Sequence, residues 1–381
     1  MKKTISLSCL IFTIFLTALC SGCDMQAPVN SPNTLTAPEP PPPEKNLIIS
    51  AVGDIMMHNT QIKAGHQPDS ATYDFSSFFQ NIKPLLQESD FVIGNLETTL
   101  GNDPSQYSGY PRFNTPAILA KNLKEAGFDL ITTANNHCLD KGIKGLNDTL
   151  QYLDEAGLLH TGTARSQEEK ETTLITEIQG IKTAFLAYTY GTNGLNPPSD
   201  KTFSVNYLVE EQICNDIKKA KSEGAELVIV CPHFGQEYQK HPDSIQTQLA
   251  QKLFESGADL ILGNHPHVLQ PAMVYQSEKK FVSYSLGNFI SAQEGLARKT
   301  SVILNLHLRI DSITGKPYFK KADYIPIWTR QFKKDGKLHF EVLPIEQVLA
   351  QINTGKATEY TLAEKQEMEQ AWEHVESCFP Y

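Results

Sequence analysis

The chain alternates between two hydrophobic rhythms. It opens its folded part with "NLIISAVGD" from residue 46, a short apolar run of strand type. A compound pattern then recurs. In "AILAKNLKEAGFDLITTANNH" the apolar residues Ile118, Leu119, Leu123 and Ala126 share one helical face, Gly127 ends the helix, and an apolar strand leads to His137. "IKKAKSEGAELVIVCPH" repeats the scheme through Gly224 and ends at His233. "IQTQLAQKLFESGADLILGNHPH" repeats it through Gly257, with Ile245, Leu249 and Leu253 spaced by four, and ends at His265 and His267. Helix, glycine, strand and ligand-type residue in alternation predict an α/β domain around a central sheet.

Beyond about residue 296 the rhythm changes. "TSVILNLHLRID" and "KLHFEVLPI" alternate as strands do, next to the turn formers "SITGKP" and "KKDGK", and predict antiparallel strands that complete a sheet. Residues 359 to 377 predict a charged terminal helix. The expected organisation is therefore a domain over 46–295, completed by strands and a helix over 296–381.

The N-terminus follows neither rhythm. "MKK" and the apolar "LIFTIFLTAL" have the form of an export signal, with an apolar run too short for a typical spanning helix. Small Ser21 and Gly22 precede Cys23 as at a bacterial lipoprotein cleavage site, although Cys20 stands where leucine is usual. Residues 1–22 then form the signal peptide, Cys23 takes the lipid, and proline-rich 23–45 is a semi-extended tether. The expected location is the extracytoplasmic face of a cell membrane. Cys138, Cys214, Cys231 and Cys378 are too scattered to be a disulfide framework.

The formal net charge is −10, and in the first 45 residues Lys2, Lys3 and Lys45 balance Asp24, Glu39 and Glu44, so the excess acid lies in the folded part. This argues against a nucleic-acid partner, which calls for a basic stripe. Nucleotide-binding glycine loops and the nucleophile elbow G-x-S-x-G are absent from the sequence.

In open α/β sheets the functional crevice lies beyond the carboxyl ends of the strands. Five such ends carry ligand-type side chains: Asp54 with His58 four residues on, Asn95 with Glu97, Asn135 to His137, His233 with Glu237, and His265 with His267. Mixed oxygen and imidazole donors suit Mn²⁺, Fe²⁺ or Zn²⁺. The set exceeds what a single catalytic zinc uses, and two ions sharing a carboxylate would take it up. Taken singly, Asp54 also suits a helix cap and Asn136 a left-handed turn. Glu237 is placed as the group that orients His233. Arg112 in "YPRFNTP" is a candidate anion clamp, Asn288 in "SLGNF" a turn stabiliser or ligand contact, and Cys138 a buried small hydrophobe.

In their order and spacing, "AVGDIMMHN", "IGNLETTL", "TTANNHCLDKG", "HFGQEY", "GNHPHV" and "SYSLGNF" resemble the CapA family of bacterial capsule synthesis proteins linked to poly-γ-glutamate. That family is similar to calcineurin-like metallophosphatases. The resemblance spans Ile48 to Ile290 and implies an α/β/β/α sandwich, two sheets flanked by helices. It implies Asp54, Glu97, Asn136, His233, His265 and His267 as ligands of two divalent ions, and His137 as the catalytic histidine; Glu237 is the second catalytic candidate. Arg112 and Asn288 are the substrate-binding candidates. The sequence departs from the metallophosphatase pattern in lacking the Asp-x-His opening, in Glu97 where aspartate is usual, and in "ANNH" for Gly-Asn-His. Two functions follow as expectations: a metal-dependent hydrolase or transferase, or a non-enzymatic scaffold for the polymer or its synthase with a degenerate metal site.

Overall fold

The computed structural model describes residues 46 to 275, 277 and 279 to 379. The signal peptide, Cys23 and the tether lie outside these described residues. Among them, two large sheets dominate, one of eight strands and one of six. Strands β1 (Asn46–Ile55), β2 (Phe91–Leu96), β3 (Leu130–Thr132) and β4 (Leu159–Thr161) lie parallel in the first sheet. The second sheet contains β5 (Leu174–Ile178), β6 (Ile181–Thr189), β7 (Leu227–His233), β8 (Leu260–Leu262), β9 (Leu269–Tyr275) and β10 (Lys280–Leu286). Its inner strands β6, β7, β8 and β10 run parallel, and β5 and β9 flank them antiparallel. The chain then returns to the first sheet. Strand β11 (Asn288–Ile290) pairs with β1, and β12 (Thr300–Ile310), β13 (Pro317–Lys334) and β14 (Lys337–Pro344) extend its other side antiparallel.

The strands are apolar on both faces, and the period of two assigns each residue to a layer. Leu227, Ile229 and Cys231 of β7 face inward, packing with Ile49 and Ala51 of β1 and Phe91 and Ile93 of β2 between the two sheets. Phe91 and Phe185 stack across that interface at 5.2 Å. Val228 and Val230, the alternate residues of β7, face outward onto helices α3 (Glu210–Ser222) and α4 (Ser244–Ser256). Val92 and Leu96 of β2 likewise meet α1 (Ile118–Ala126) and α2 (Gly142–Glu155). The result is helices, sheet, sheet, helices: the α/β/β/α sandwich. Helices α5 (Ile345–Asn353) and α6 (Leu362–Cys378) close a further cluster around Trp328.

Two expectations of local structure are corrected. Leu249 and Leu253 are buried on α4, but Ile245 is 73% exposed, because it sits in the first turn, beyond the sheet. The strand leading to His137 stops at Thr132. Thr133 leaves it to bond Thr161 O and the Thr163 hydroxyl, and the chain becomes a tight loop through His137. Cys138, Cys214, Cys231 and Cys378 are free thiols, and burial pushes those of Cys138 and Cys231 up to about 12.

Candidate metal centre

The carboxyl ends of both sheets meet in one crevice. Asp54 lies near the end of β1, and the backbone places it there through a glycine. Gly53 has no Cβ, and one built on it would stand 1.9 Å from Gly287 O. The close approach lets Asp54 N donate to Gly287 O at 2.9 Å and puts Asp54 in register beside Asn288. Asp54 therefore belongs to the strand and caps nothing; the next helix, Asn59–Gly65, is capped at His58.

Glu97 follows β2 directly and is fully buried. From the second sheet, His233 ends β7, while His265 and His267 stand in the loop after β8. Both loop histidines adopt positive φ, 102° and 58°, in the region that favours glycine, so each is held at a cost of about 1–3 kcal/mol by its surroundings.

These side chains fall into two groups that share Glu97. Donor atoms of Asp54, Glu97 and His267 lie within 4.8 Å of one another, as do those of Glu97, His233 and His265. His267 Nδ1 contacts Asp54 Oδ2 at 3.1 Å and Asn288 Oδ1 at 3.0 Å, and its Nε2 faces Glu97 Oε1 at 3.7 Å. His233 Nε2 lies 2.8 Å from Asn136 Oδ1 and 3.7 Å from Glu97 Oε1. Asn136 thereby joins the second group.

The electrostatics of the pocket favour a cation. Both Glu97 oxygens are buried without a hydrogen-bond partner, as is His265 Nδ1. Burial and the neighbouring Asp54 carboxylate push the Glu97 carboxyl well above its ordinary value. Burial and adjacent imidazoles hold His233 well below the usual histidine range and His265 at about 3. Neutral imidazoles and an unpartnered carboxylate are the donors that a divalent ion requires, and its charge would reverse the penalty on Glu97. The residues present therefore fit a divalent metal site.

Around the donors lies a layer of amides and carboxylates. Asn95 Nδ2 donates to Asp54 Oδ1 at 2.7 Å, and Asn95 Oδ1 accepts from Thr132 Oγ1 at 3.1 Å. Asn135 pins its loop to β2 by donating to Leu96 O at 2.7 Å, and its Oδ1 accepts from His137 N at 3.1 Å. His137 Nδ1 contacts Asp140 Oδ2 at 2.7 Å, and its ring meets Phe113 edge-on at 4.7 Å. His58 completes this wall. Its ring also meets Phe113 edge-on, at 5.2 Å, and burial lowers it to about 4.

Not every sequence candidate stands where it was expected. Glu237 does not orient His233, whose ring nitrogens face Asn95 and Asn136 instead. It is exposed at the rim, with a carboxylate oxygen within 4.8 Å of donor atoms of His265 and His267. Asn288 is fully buried, its amide donates to Gln293 Oε1 and Arg298 O, and its Oδ1 faces His267 Nδ1, so it ties His267 to the loop that follows β11. Arg112 is exposed and lines a cleft of about 670 Å³ with Asp140 and Lys141. Asn95 and Asn135, read from the sequence as ligand-type residues, instead hold Asp54 and the His137 loop in place, and Asp140 has no counterpart in the sequence reading. The only signal for Asp140 was its place three residues after His137 in a turn-rich stretch.

The two stacked sheets and the crevice at their carboxyl ends define a metallophosphatase-like fold. Among solved structures, the chain is similar to a "Putative 5'-Nucleotidase from Staphylococcus aureus in complex with alpha-ketoglutarate", with a TM-score of 0.50 and 14% identity over 86% of this chain and 58% of that one. It is also similar to the calcineurin-like phosphoesterase YfkN from Bacillus subtilis, with a TM-score of 0.46 and 16% identity over 87% of this chain and 98% of that one.

Residues 48–293 match the model of the family described as bacterial capsule synthesis protein PGA_cap, and the chain belongs to that family. The capsule biosynthesis protein CapA of Bacillus anthracis is 32% identical over 70% of this chain, and the PGA biosynthesis protein CapA of Bacillus subtilis is 32% identical over 79%. The matched regions span 64% and 71% of those two proteins.

Proposed function

We propose that this protein works in the synthesis, export or processing of poly-γ-glutamate capsule, and that its crevice is a two-metal hydrolase or transferase site. The substrate in this reading is the γ-glutamyl polymer or a phosphorylated carrier. The names of the two Bacillus relatives support the pathway. The observation that carries the site is Glu97, a buried carboxylate without hydrogen-bond partners that two donor groups share.

In this reading Asp54, Glu97 and His267 would hold one ion, and Glu97, Asn136, His233 and His265 would hold the other. Mn²⁺, Fe²⁺ or Zn²⁺ held there would supply charge to polarise a scissile carbonyl or phosphoryl group and to acidify water. Asp140 accepts from His137 Nδ1, which fixes the ring and leaves Nε2 to hold or release a proton at the leaving oxygen. Phe113 closes one side of that ring and keeps water from it. Asn95 and Asn288 restrict Asp54 and His267 to one orientation each, as outer-layer partners of metal ligands do.

The proposal includes attachment to the outer face of the membrane through lipidated Cys23, after removal of 1–22. The tether 23–45 then carries one domain made of 46–295 and 296–381, near the polymer synthase. Among the described residues no helix is long and apolar enough to cross a membrane.

The test is turnover by the full chain, purified in detergent without chelator, on p-nitrophenyl phosphate and on γ-glutamyl oligomers. Turnover of either substrate that chelation abolishes and metal restores supports the reading. Absence of both, with normal polymer in cells carrying His265→Ala, identifies the protein as a scaffold instead.

A further inference from the structure

Glu237 approaches the candidate metal centre without belonging to either of its two donor groups. One of its carboxylate oxygens lies within 4.8 Å of donor atoms of His265 and His267. Two imidazoles and one carboxylate are a set that holds a divalent ion and leaves other positions open. The backbone builds this placement. The loop after β7 turns at Gly235, with φ of 91°, and Tyr238 is held at φ of 67°, in the region that favours glycine. Such strain persists only where the surroundings enforce it. Here Tyr238 N donates to Pro266 O at 2.8 Å, between the two histidines. That bond fixes the neighbour of Glu237 to the loop that carries them. Among the described residues Glu237 forms no ion pair; Arg298, which reaches this loop, lies over the Tyr238 ring at 5.2 Å instead.

The outer group shares one histidine with each inner group: His267 with Asp54 and Glu97, and His265 with Glu97 and His233. An ion could therefore pass from Glu237 to Glu97 without leaving an imidazole. His267 cannot serve both positions at once. Its Nδ1 faces Asp54 Oδ2 at 3.1 Å and Asn288 Oδ1 at 3.0 Å. The Asn288 amide nitrogen is committed to Gln293 Oε1 and Arg298 O, so its oxygen faces the ring and Nδ1 carries the proton. One lone pair remains, at Nε2, which faces Glu97 Oε1 at 3.7 Å.

Exposure sets the order of events. Asp54, Glu97 and His233 are buried, as are His265 and His267, whereas Glu237 stands in solvent at the rim. The outer group thus runs from water to the interior. A hydrated ion that went directly to the buried donors would shed its water before gaining them. At Glu237 it exchanges part of its shell for a carboxylate and imidazoles while other waters stay.

We propose that Glu237, His265 and His267 form an outer cation position through which the first divalent ion enters the centre. The ion then passes to Glu97 and keeps one of the two histidines. The inner destination rests on the two-metal reading above; the outer position does not.

The experiment follows the uptake of Zn²⁺ by the full chain in detergent, stripped of metal and freed of chelator, by stopped flow with a zinc-responsive dye. Glu237→Gln should slow uptake of the first ion about tenfold, the scale on which charge at a cleft mouth changes association rates. Its final zinc content should equal wild type. Glu237→Asp restores the charge but draws the carboxylate back by a methylene group, and should stay slow. Glu294→Gln, which removes an exposed acid beyond β11, should load as wild type does. The proposal is overturned if Glu237→Gln loads at the wild-type rate. It is overturned too if Glu237→Asp restores that rate, which leaves only steering by charge, or if Glu237→Gln ends with fewer ions, which makes Glu237 a permanent ligand. Uptake of two ions at a rate indifferent to Glu237 would keep the two-metal reading and remove the outer position. Uptake of a single ion, slowed by Glu237→Gln and unchanged in Glu97→Gln, would do the reverse.

Discussion

Acidification should unfold this protein through its buried imidazoles, and the size of the effect follows from their placement. His265 is held at about 3 and His58 at about 4, both by burial first. Each is neutral in the native state at pH 5 but protonated in the unfolded chain below about pH 6.5. The unfolded state therefore binds more protons, and stability falls as pH falls. Between about pH 7.5 and about pH 5 each of the two costs about 2 kcal/mol, so together they remove about 4 kcal/mol. His233, also lowered by burial, acts in the same direction.

Glu97 opposes this trend. Its carboxyl is raised, so in the metal-free native state it keeps its proton while the unfolded chain loses it. The stability it contributes is present below the ordinary glutamate value and is lost as pH rises through the folded one. Acidification thus strengthens the metal-free fold at Glu97 and masks part of the histidine effect. Glu97→Gln removes the masking. Urea denaturation of Glu97→Gln with chelator present should show a loss of at least about 4 kcal/mol from pH 7.5 to 5. Wild type with chelator should lose less. A loss below about 1 kcal/mol in the variant, or a larger loss in wild type, would show that buried neutral imidazoles do not set the acid sensitivity of the fold.

Three further outcomes follow. His137→Ala should keep near-normal metal content and lose turnover, whereas His265→Ala should lose both; equal metal loss in the two would make His137 a ligand. Asn288→Ala frees His267 Nδ1 from its 3.0 Å partner and should weaken metal affinity about 10–100-fold in a competition titration with a chelating dye, with unchanged affinity contradicting its positioning role. Gly53→Ala would place a Cβ 1.9 Å from Gly287 O, part β1 from β11, and cost about 3 kcal/mol or more, read as a lower urea midpoint; a normal midpoint would show that the close approach is not required.

The layers of the fold were legible because burial on both faces leaves a simple rhythm: β7 reads as an unbroken apolar run, and α1 and α4 end at Gly127 and Gly257 with φ of 116° and 111°. The loops between them were less legible. β3 and β8 are three residues long, since the residues after them serve tertiary contacts: Thr133 turns to Thr161, and Gly263 N donates to Ser283 O at 2.7 Å. No local periodicity records such contacts. The same reason hid Asp140 and left the partners of Asn95 and Asn288 unassigned. Their amide and carboxylate groups act on Asp54, His137 and His267 across the crevice, and only the assembled sheets show which atom each one faces.

If Glu97 serves two ions, as proposed above, elemental analysis of the full chain will show it. Wild type purified without chelator should carry about two divalent ions per chain, and Glu97→Gln, which keeps the side chain's shape and removes its charge, should carry one or none. A wild-type chain without metal, or a Glu97→Gln chain that retains both ions, would rule out a Glu97 common to two sites.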